Sequence, residues 1–382
     1  MRGKGGTKLK TKIPNMLLLG STGRNSGKTV LACALIRHLS SQRPVFGLKV
    51  TTIHGDGDVC PRGGEGCGVC SSLEGEYCIT SEEDNGAGKD TEKMVAAGAQ
   101  KVYWLRVRAG SMDVIADVIK EVIPPETPVV VESNSLRQVI EPGVFIVMKP
   151  KGSKTVKPSA QEVLEYADRV VEGDEANPGI DLRDVFFENG SFFLRRDATL
   201  LLLAGGGSSR MGVPKSLLDY QGVPLILHVY NRLAPMFSEV LLSVSGDEKL
   251  PDELDGVDRV VDEVPGIGPI AGIGAGLAKA GFSTVFVAAC DIPTIDYTLV
   301  TSILKSAAEY DIVVPRTEGD YLEPLFAAYN RCVLPKVLAL MESGERRIRM
   351  VYDTAKTCYK DLEPGRRLSN VNTPEEYLQS KE

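Results

Sequence analysis

The sequence predicts an α/β protein made of two doubly wound, mainly parallel, three-layer domains. Continuous apolar runs alternate with segments of helical periodicity, a pattern typical of parallel strands covered on both faces by helices. A strand followed by a glycine-rich loop and a helix opens this pattern near residue 16 and opens it again near residue 198. The length of 382 residues is also more than one compact core usually serves.

In the first half, five apolar runs predict strands and two amphipathic segments predict helices. The predicted strands are 16–20, 44–50, 101–107, 128–135 and 143–150, and the predicted helices are 30–40 and 113–123. The stretch 174–197 is polar and rich in turn residues, so we expect the domain boundary there. The predicted organisation is a disordered tail at 1–12, a first domain at 13–190 with a cysteine-rich insert at 55–80, and a second domain at 197–382.

In the second half, the same alternation continues after the strand that begins at 198. The predicted elements are a helix near 223–235, strands at 240–245 and 257–262, a glycine-rich helix start at 266–280 and a strand at 283–290. Asp291 follows this last strand directly. Because ligands of doubly wound sheets bind outside the carboxyl ends of the strands, Asp291 is a candidate site residue.

The composition excludes several functional classes. The net charge of −7 argues against general nucleic-acid binding, which needs a basic surface. No run of about 18 apolar residues is present, so we expect no membrane span. The basic N-terminus lacks the apolar stretch of a signal peptide, so we expect a cytoplasmic protein whose eight cysteines do not form a disulfide framework.

The first glycine-rich loop, GSTGRNSGKT, has the composition of a phosphate-binding loop. Backbone N–H groups around Gly23 and Gly27 would face one concavity, Lys28 would reach the β and γ phosphate oxygens, and Thr29 would hold Mg²⁺. The strict pattern has a glycine where this chain has Thr22. A glycine turn that only packs a helix on a strand is the structural alternative.

Three further segments give the first domain a more specific resemblance. GLKVTTIH at 47–54, GAGKDTEKMVAAGAQKV at 86–102 and the strand that ends in VVVESNS follow the loop in this order. Residues 15–150 thereby resemble the MobB family, the adapter proteins of molybdopterin-guanine dinucleotide synthesis. The resemblance implies a P-loop NTPase-like domain that binds GTP and hydrolyses it weakly at best.

The family's motif positions hold Lys49, His54, Lys89, Asp90 and Glu132 in this chain. For most of them a surface charge or a satisfied histidine is the alternative interpretation. Glu132 is a candidate Mg²⁺ ligand, because an acid at the carboxyl end of a strand lies where doubly wound sheets bind ligand and metal.

The insert concentrates four cysteines, Cys60, Cys67, Cys70 and Cys78, in one glycine-rich segment. The Cys67-x-x-Cys70 pair has metal-ligand spacing, and four thiolates can hold a zinc ion or an iron–sulfur cluster. His54 is close enough in sequence to replace one cysteine. Free thiols and a redox pair are the alternatives.

The second glycine-rich loop, LAGGGSSRMG, lacks the GK[ST] ending of the first. Its small residues let a base and ribose lie against the backbone, while Arg210 and Lys215 would face the triphosphate and the pyrophosphate leaving group. Asp291 would hold Mg²⁺ between the phosphates. An attacking phosphate monoester is already anionic, so positioning matters more than a general base. The predicted nucleotide-binding positions are Leu203, Ala204, Gly205, Gly206, Gly207 and Asp262.

Segments of the second half occur in the order of a known family. They are LAGGGSSRMG at 203–212, VDEVPGIGPIAGIGAGL at 261–277, VAACDIP at 287–293, EPLFAAY at 323–329 and NVNTPEEY at 370–377. This order resembles the MobA family of molybdenum cofactor guanylyltransferases over nearly all of 199–378, which implies a Rossmann-like nucleotidyltransferase domain. In the last segment, Asn370 and Asn372 would contact the pterin substrate or the metal, or cap a helix.

Together the two resemblances imply a MobB–MobA fusion that transfers GMP from GTP to molybdopterin carrying molybdenum or tungsten. Mg²⁺ is the expected cofactor, GTP and molybdopterin are the expected ligands, and molybdo- or tungstoenzymes are the expected recipients. Two alternatives stay open. Pro214 precedes Lys215, and this pair is frequent in relatives that use CTP or UTP, so a cytidylyl- or other nucleotidyltransferase is the first. A GTP-binding cofactor carrier with an inert transferase half, whose second glycine loop is not catalytic, is the other.

Overall fold

The structure, a computed structural model, describes residues 10–23, 26–53, 73, 75–83, 88–153, 155–174, 177, 179–204, 214–246, 249–261, 267–363 and 368. The chain forms two compact units, Met1–Leu194 and Arg195–Glu382. Both units are α/β with mainly parallel sheets, which confirms the predicted fold class at that level. Within the described ranges, no helix is long and apolar enough to cross a membrane.

The first unit is built on a seven-stranded sheet in the order β3-β4-β2-β5-β1-β6-β7. The β3–β4 pair is antiparallel and the other pairs are parallel. Strand β1 lies between β5 and β6, so its carboxyl end is beside theirs. The strands are β1 Thr11–Ser21, β2 Phe46–Ile53, β3 Tyr77–Glu82, β4 Lys101–Arg108, β5 Val129–Glu132, β6 Ile140–Pro150 and β7 Arg169–Gly173.

Helices cover both faces of this sheet, as the continuous apolar strands predict. Successive residues of β1 point to opposite faces. Leu17 and Leu19 pack with Leu31 of α1 in one core cluster, whereas Leu18 packs with Ile115 and Ile119 of α3 in the other. The helices are α1 Lys28–Ser40, α2 Asp90–Ala96, α3 Ile115–Val122 and α4 Pro158–Gln161.

The units divide after Leu194, inside the predicted boundary segment 174–197, but part of that segment is an ordered hairpin of the first unit. Strands β8 (Val185–Glu188) and β9 (Ser191–Leu194) pair antiparallel across a turn whose two residues, Asn189 and Gly190, have φ of 48° and 72°. Phe187 and Phe192 lie edge to face across the hairpin and belong to the core cluster under α1. The apolar pairs on either side of Asn-Gly are the sequence signal of such a turn.

Two further boundaries differ from the predictions. Thr11 and Lys12, predicted as the end of a disordered tail, are the first residues of β1. Strand β3 begins at Tyr77, so the last residues of the predicted insert at 55–80 belong to the edge of the sheet. The three cysteines Cys60, Cys67 and Cys70 lie outside the described residues.

The second unit is built on a seven-stranded sheet in the order β14-β13-β10-β15-β17-β16-β18. Strand β17 is antiparallel to both neighbours, and the other pairs are parallel. A separate short hairpin pairs β11 with β12. The strands are β10 Arg196–Leu203, β11 Asp219–Tyr220, β12 Val223–Pro224, β13 Phe237–Val244, β14 Asp258–Val261, β15 Thr284–Ala289, β16 Ile312–Arg316, β17 Phe326–Asn330 and β18 Thr357–Asp361.

The glycine-rich helix of the second unit lies unusually close to the sheet. A Cβ at Gly272 would collide with the Ser243 hydroxyl of β13, and a Cβ at Gly276 would collide with the Leu201 side chain of β10. These glycines therefore serve helix–strand packing. The helices of the unit are α5 Leu225–Leu233, α6 Pro269–Lys279, α7 Tyr297–Ser306 and α8 Leu334–Glu342.

Candidate functional site

In the first unit, the carboxyl ends of β1, β2 and β5 open into a cavity of about 910 Å³. This is the edge at which doubly wound sheets bind ligands. The cavity brings together seven residues that the sequence singles out. They are Gly23, Gly27, Lys28, Thr29, Lys49, Asp90 and Glu132. Of the remaining two, Lys89 is the N-cap of α2, and His54 lies outside the described residues.

The start of α1 gives the cavity an anion-binding end. Gly27 caps the helix with φ +73°, a conformation that favours glycine, and a Cβ there would approach the Asp174 carbonyl oxygen to 2.5 Å. The N–H groups of the first helical turn have no partner within the helix, so they are available to a phosphate. Lys28 begins the helix and has no ion pair or hydrogen bond among the described residues.

Glu132 ends β5 beside this helix start. Its side chain is only 3 % exposed, and its Oε1 finds no hydrogen-bond partner in the described part of the chain. Burial lowers the pKa of Lys28, an effect that the nearby Glu132 carboxylate partly offsets. Thr29 lines the same cavity, and a buried carboxylate oxygen that lacks a partner among the described residues fits a hard cation such as Mg²⁺, which prefers oxygen ligands. Within the described ranges, His, Cys, Asp and Glu side chains form no cluster of three or more that would hold a metal by itself.

A second charge pair lies on the β2 side of the cavity. The Lys49 ammonium donates to Asp90 Oδ2 at the start of α2. Burial by itself would raise the pKa of Asp90, but the hydrogen bond and charge of Lys49 bring it below its usual value. The Asp90 carboxylate therefore stays ionised at neutral pH, and the Lys49 side chain beside it is 18 % exposed.

Several cavity residues were missed by the sequence reasoning. Asn134 brackets Ser21 at the end of β1, accepting from its N–H at 2.7 Å and donating to its carbonyl at 2.9 Å. The Thr52 and Ser135 hydroxyls lie 2.6 Å apart, and Thr51 lines the cavity beside them. The signal was a set of hydroxyl and amide residues at or just beyond the carboxyl end of each strand, where ligands bind.

In the second unit, the candidate catalytic residues Lys215 and Asp291 are brought together. Lys215 Nζ lies 3.5 Å from Asp291 Oδ2, and both side chains are about three-quarters buried. Burial raises the pKa of Asp291, and the Lys215 ammonium opposes that shift. Asp291 follows the end of β15 by two residues, so the pair stands at the carboxyl edge of the sheet.

The strand ends around this pair form a crevice. Strand β10 lies between β13 and β15, and both neighbours are parallel to it. From β10 the chain continues to β13 and β14 on one side and then crosses to β15 on the other, so the strand order reverses at the carboxyl end of β10. Ala204 N–H donates to the Ser243 carbonyl at 2.9 Å, and Cys290 N–H donates to the Leu203 carbonyl at 3.4 Å. The other predicted positions lie outside the described residues: Gly205, Gly206, Gly207, Arg210, Asp262, Asn370 and Asn372.

His228 and Cys78 each contact neighbouring side chains or backbone of the fold. His228 Nε2 lies 3.2 Å from the Pro293 carbonyl oxygen, and its ring packs against Tyr220. Cys78 lies on β3, and its Sγ accepts a hydrogen bond from Arg106 at 3.2 Å. A metal site shared by Cys78 and the other three insert cysteines stays a prediction.

Comparison with known proteins gives matches for the second unit. The family model of the MobA-like NTP transferase domain matches residues 200–358. Molybdenum cofactor guanylyltransferase of Vibrio cholerae is 35% identical over 187 residues, which are 48% of this chain and 91% of that protein. The Pseudomonas putida enzyme of the same name is 33% identical over 181 residues, 46% of this chain and 94% of that protein.

Among solved structures, molybdopterin-guanine dinucleotide biosynthesis protein A from Archaeoglobus fulgidus matches with a TM-score of 0.41 and 26% identity. The match covers 48% of this chain and 96% of that one. The match to the family model begins at residue 200 and lies wholly in the second unit, so the resemblance of the first unit to the MobB family stays a prediction.

Proposed function

The second unit belongs to the MobA-like NTP transferase family, and from this membership we propose that the chain is a molybdenum cofactor guanylyltransferase. It transfers GMP from GTP to molybdopterin and releases pyrophosphate. The new bond joins the terminal phosphate of molybdopterin to the α-phosphorus of GTP, and the bond between the α- and β-phosphates breaks. The acceptor phosphate is already anionic, so the protein's task is to position two anions and to offset their charge.

The Lys215–Asp291 pair at the carboxyl edge of the sheet carries this proposal. Lys215 has the charge to bind the β- and γ-phosphates that leave as pyrophosphate. Asp291 supplies the hard carboxylate oxygen that Mg²⁺ prefers, and its burial raises the free energy of its charged form unless a cation is near. When bound, Mg²⁺ withdraws charge from the phosphate oxygens.

For the first unit we propose a GTP-binding, P-loop adapter of the MobB type. The open helix N-terminus behind Gly27, the Lys28 ammonium and the Glu132 Oε1 support it, because none of these groups has, among the described residues, the partner that a Mg²⁺-bound triphosphate would supply. Lys28 binds phosphate oxygens in this proposal, and Thr29 and Glu132 hold the metal. The cavity of about 910 Å³ has room for the whole nucleotide.

Pyrophosphate release tests the proposal directly. The full chain is supplied with Mg²⁺, molybdopterin and either GTP or CTP in parallel. Release with GTP and not with CTP supports the guanylyltransferase. Release with CTP alone would keep Lys215 and Asp291 in their roles but change the product, in line with Pro214 before the lysine. No release with any nucleotide, despite binding of GTP, would favour the inert carrier.

A further inference from the structure

Two cross-strand rows on one face of the first sheet lead from the cavity towards its β3 edge. Lys49 of β2 is in register with Glu132 of β5 on one side and with Trp104 of β4 on the other. Thr51, two residues further along β2, is in register with Arg106 of β4. Residues in register on neighbouring strands point to the same face, so these side chains form one polar patch under α2.

The hydroxyl of Thr51 has a fixed direction in this patch. Trp104 Nε1 donates a hydrogen bond to Thr51 Oγ1 at 3.0 Å. An indole N–H is only a donor, so Thr51 must accept here and its own hydrogen remains to be donated. The described part of the chain offers that hydrogen no acceptor, and Thr51 lines the cavity. The arrangement therefore presents a donor to whatever the cavity binds.

Lys49 adds a charge on the same face of the same strand. Alternate residues of a strand lie about 6.6 Å apart on one face, so the Lys49 ammonium and the Thr51 hydroxyl are neighbours. Asp90 holds the ammonium by one of its three donors, which leaves the others for a ligand. A cation beside an oriented hydroxyl donor selects an anionic oxygen acceptor.

We propose that Lys49 and Thr51 bind a phosphate oxygen above β2, and that Trp104 is the residue that positions Thr51. This subsite rests on the proposed nucleotide site of the first unit. Strand β2 is two strands from β1, about 9.5 Å across the sheet, so the subsite is adjacent to the phosphate-binding loop without coinciding with it. The oxygen comes either from the terminal phosphate of the bound nucleotide or from a second phosphate-bearing ligand.

The emission of Trp104 tests this proposal, because it is the chain's only tryptophan and reports on the first unit alone. Full-length protein with Mg²⁺ is titrated with GDP, with a non-hydrolysable GTP analogue, and with inorganic phosphate in the presence of the analogue. The variants are Thr51→Val, which removes the hydroxyl at constant shape, and Lys49→Met. Thr11→Val is the matched control, since Thr11 begins β1, at the opposite end of that strand from the cavity.

The two phosphate sources give different outcomes. If the terminal phosphate is bound, Thr51→Val and Lys49→Met weaken the GTP analogue about tenfold and leave GDP unchanged. If a second ligand is bound, both variants leave the nucleotides unchanged and weaken inorganic phosphate by a similar factor. Wild-type affinity of both variants for all three probes overturns the subsite. Wild-type protein that binds neither nucleotide at the first unit overturns the adapter proposal as well.

Two further variants separate positioning from a merely structural role. Thr51→Ser keeps the hydroxyl and is expected to keep the affinity, which excludes misfolding as the cause of a loss in Thr51→Val. Trp104→Phe removes the fluorescent reporter, so its binding is measured by calorimetry. The heat of binding at the first unit is the part of the signal that Lys28→Met abolishes. Trp104→Phe should weaken the same probe as Thr51→Val, and the double variant should lose no more than Thr51→Val alone. Additive losses would show that Trp104 acts through packing and would remove it from the proposal.

Discussion

Each sheet carries a lysine and a carboxylate at its carboxyl edge, and the two edges differ in whether these charges are paired with each other. In the second unit, Lys215 and Asp291 pair with each other at 3.5 Å. In the first unit, Lys28 has no ion pair among the described residues, and Glu132 keeps a buried oxygen without a partner. The edge of the second unit, the satisfied edge, therefore pairs its charges without a ligand. At the edge of the first unit, the unsatisfied edge, a ligand would have to supply the partners of Lys28 and Glu132.

The difference indicates two modes of anion binding. A buried carboxylate oxygen without a partner is unfavourable, so a ligand or cation that reaches Glu132 restores a lost interaction. A triphosphate that approaches Lys215 must instead share it with Asp291, and Mg²⁺ on Asp291 would compensate for the lost pairing. We therefore expect the first unit to bind nucleotide more tightly and the second unit to depend more strongly on Mg²⁺.

Asp291→Ala breaks the satisfied edge and has the largest expected effect. Without the carboxylate, Lys215 keeps its charge but Mg²⁺ loses its ligand, so pyrophosphate release with GTP should fall by at least about 100-fold. The quench of Trp104 emission by GTP should stay as in the wild type, because that tryptophan lies in the first unit. Turnover that survives this substitution would disprove the assignment of Asp291 as the metal ligand.

Lys28→Met breaks the unsatisfied edge. The variant removes a charged donor that no other described residue engages, so GTP affinity at the first unit should fall about 10- to 100-fold. Trp104 emission measures the affinity. Arg37→Met, at the opposite end of α1, is the matched control and should bind GTP as the wild type does. Equal affinities of the Lys28 and Arg37 variants would contradict the phosphate-binding role of the loop.

The strand–loop–helix order of both units could be predicted because apolar runs and glycine loops are local signals. The cavity's charge pairs could not, since Lys49 and Asp90 are 41 residues apart and meet only through the sheet register. The β8–β9 hairpin was missed for a different reason. Its Asn189-Gly190 turn is a strong local signal, but the polar residues around it favoured a linker. Strand β3 was missed because an edge strand buries little apolar surface.

Gly27→Ala changes the backbone at the unsatisfied edge and leaves the charges of Lys28 and Glu132 in place. The alanine would combine a φ of +73° with a close approach to the Asp174 carbonyl, so the free energy of unfolding of the first unit should fall by about 2–4 kcal/mol. Urea titration followed by Trp104 emission measures it. Gly152→Ala has a similar φ of +72° in open space and should cost only about 1 kcal/mol. Equal losses would show that backbone strain, and not contact with Asp174, fixes the loop.

The smallest expected effect concerns pH and only the second unit. Burial lowers the pKa of His228, although the Pro293 carbonyl opposes the shift. The unfolded chain therefore takes up this proton at a higher pH than the folded chain does. The stability that neutral His228 contributes is fully present above its ordinary pKa of about 6.5 and is lost as the pH falls towards the folded value.

His228→Gln should remove that part of the pH dependence. In urea titrations followed by circular dichroism between about pH 7 and pH 5, the wild type should lose more stability than the variant. The transition followed by Trp104 emission is the internal control, and it should be the same in both proteins because His228 belongs to the second unit. Parallel losses by circular dichroism would mean that His228 is as easily protonated in the folded chain as in the unfolded one. Asp291 could not account for such a loss, because its raised pKa acts in the opposite direction: protonation relieves the cost of burying its charge.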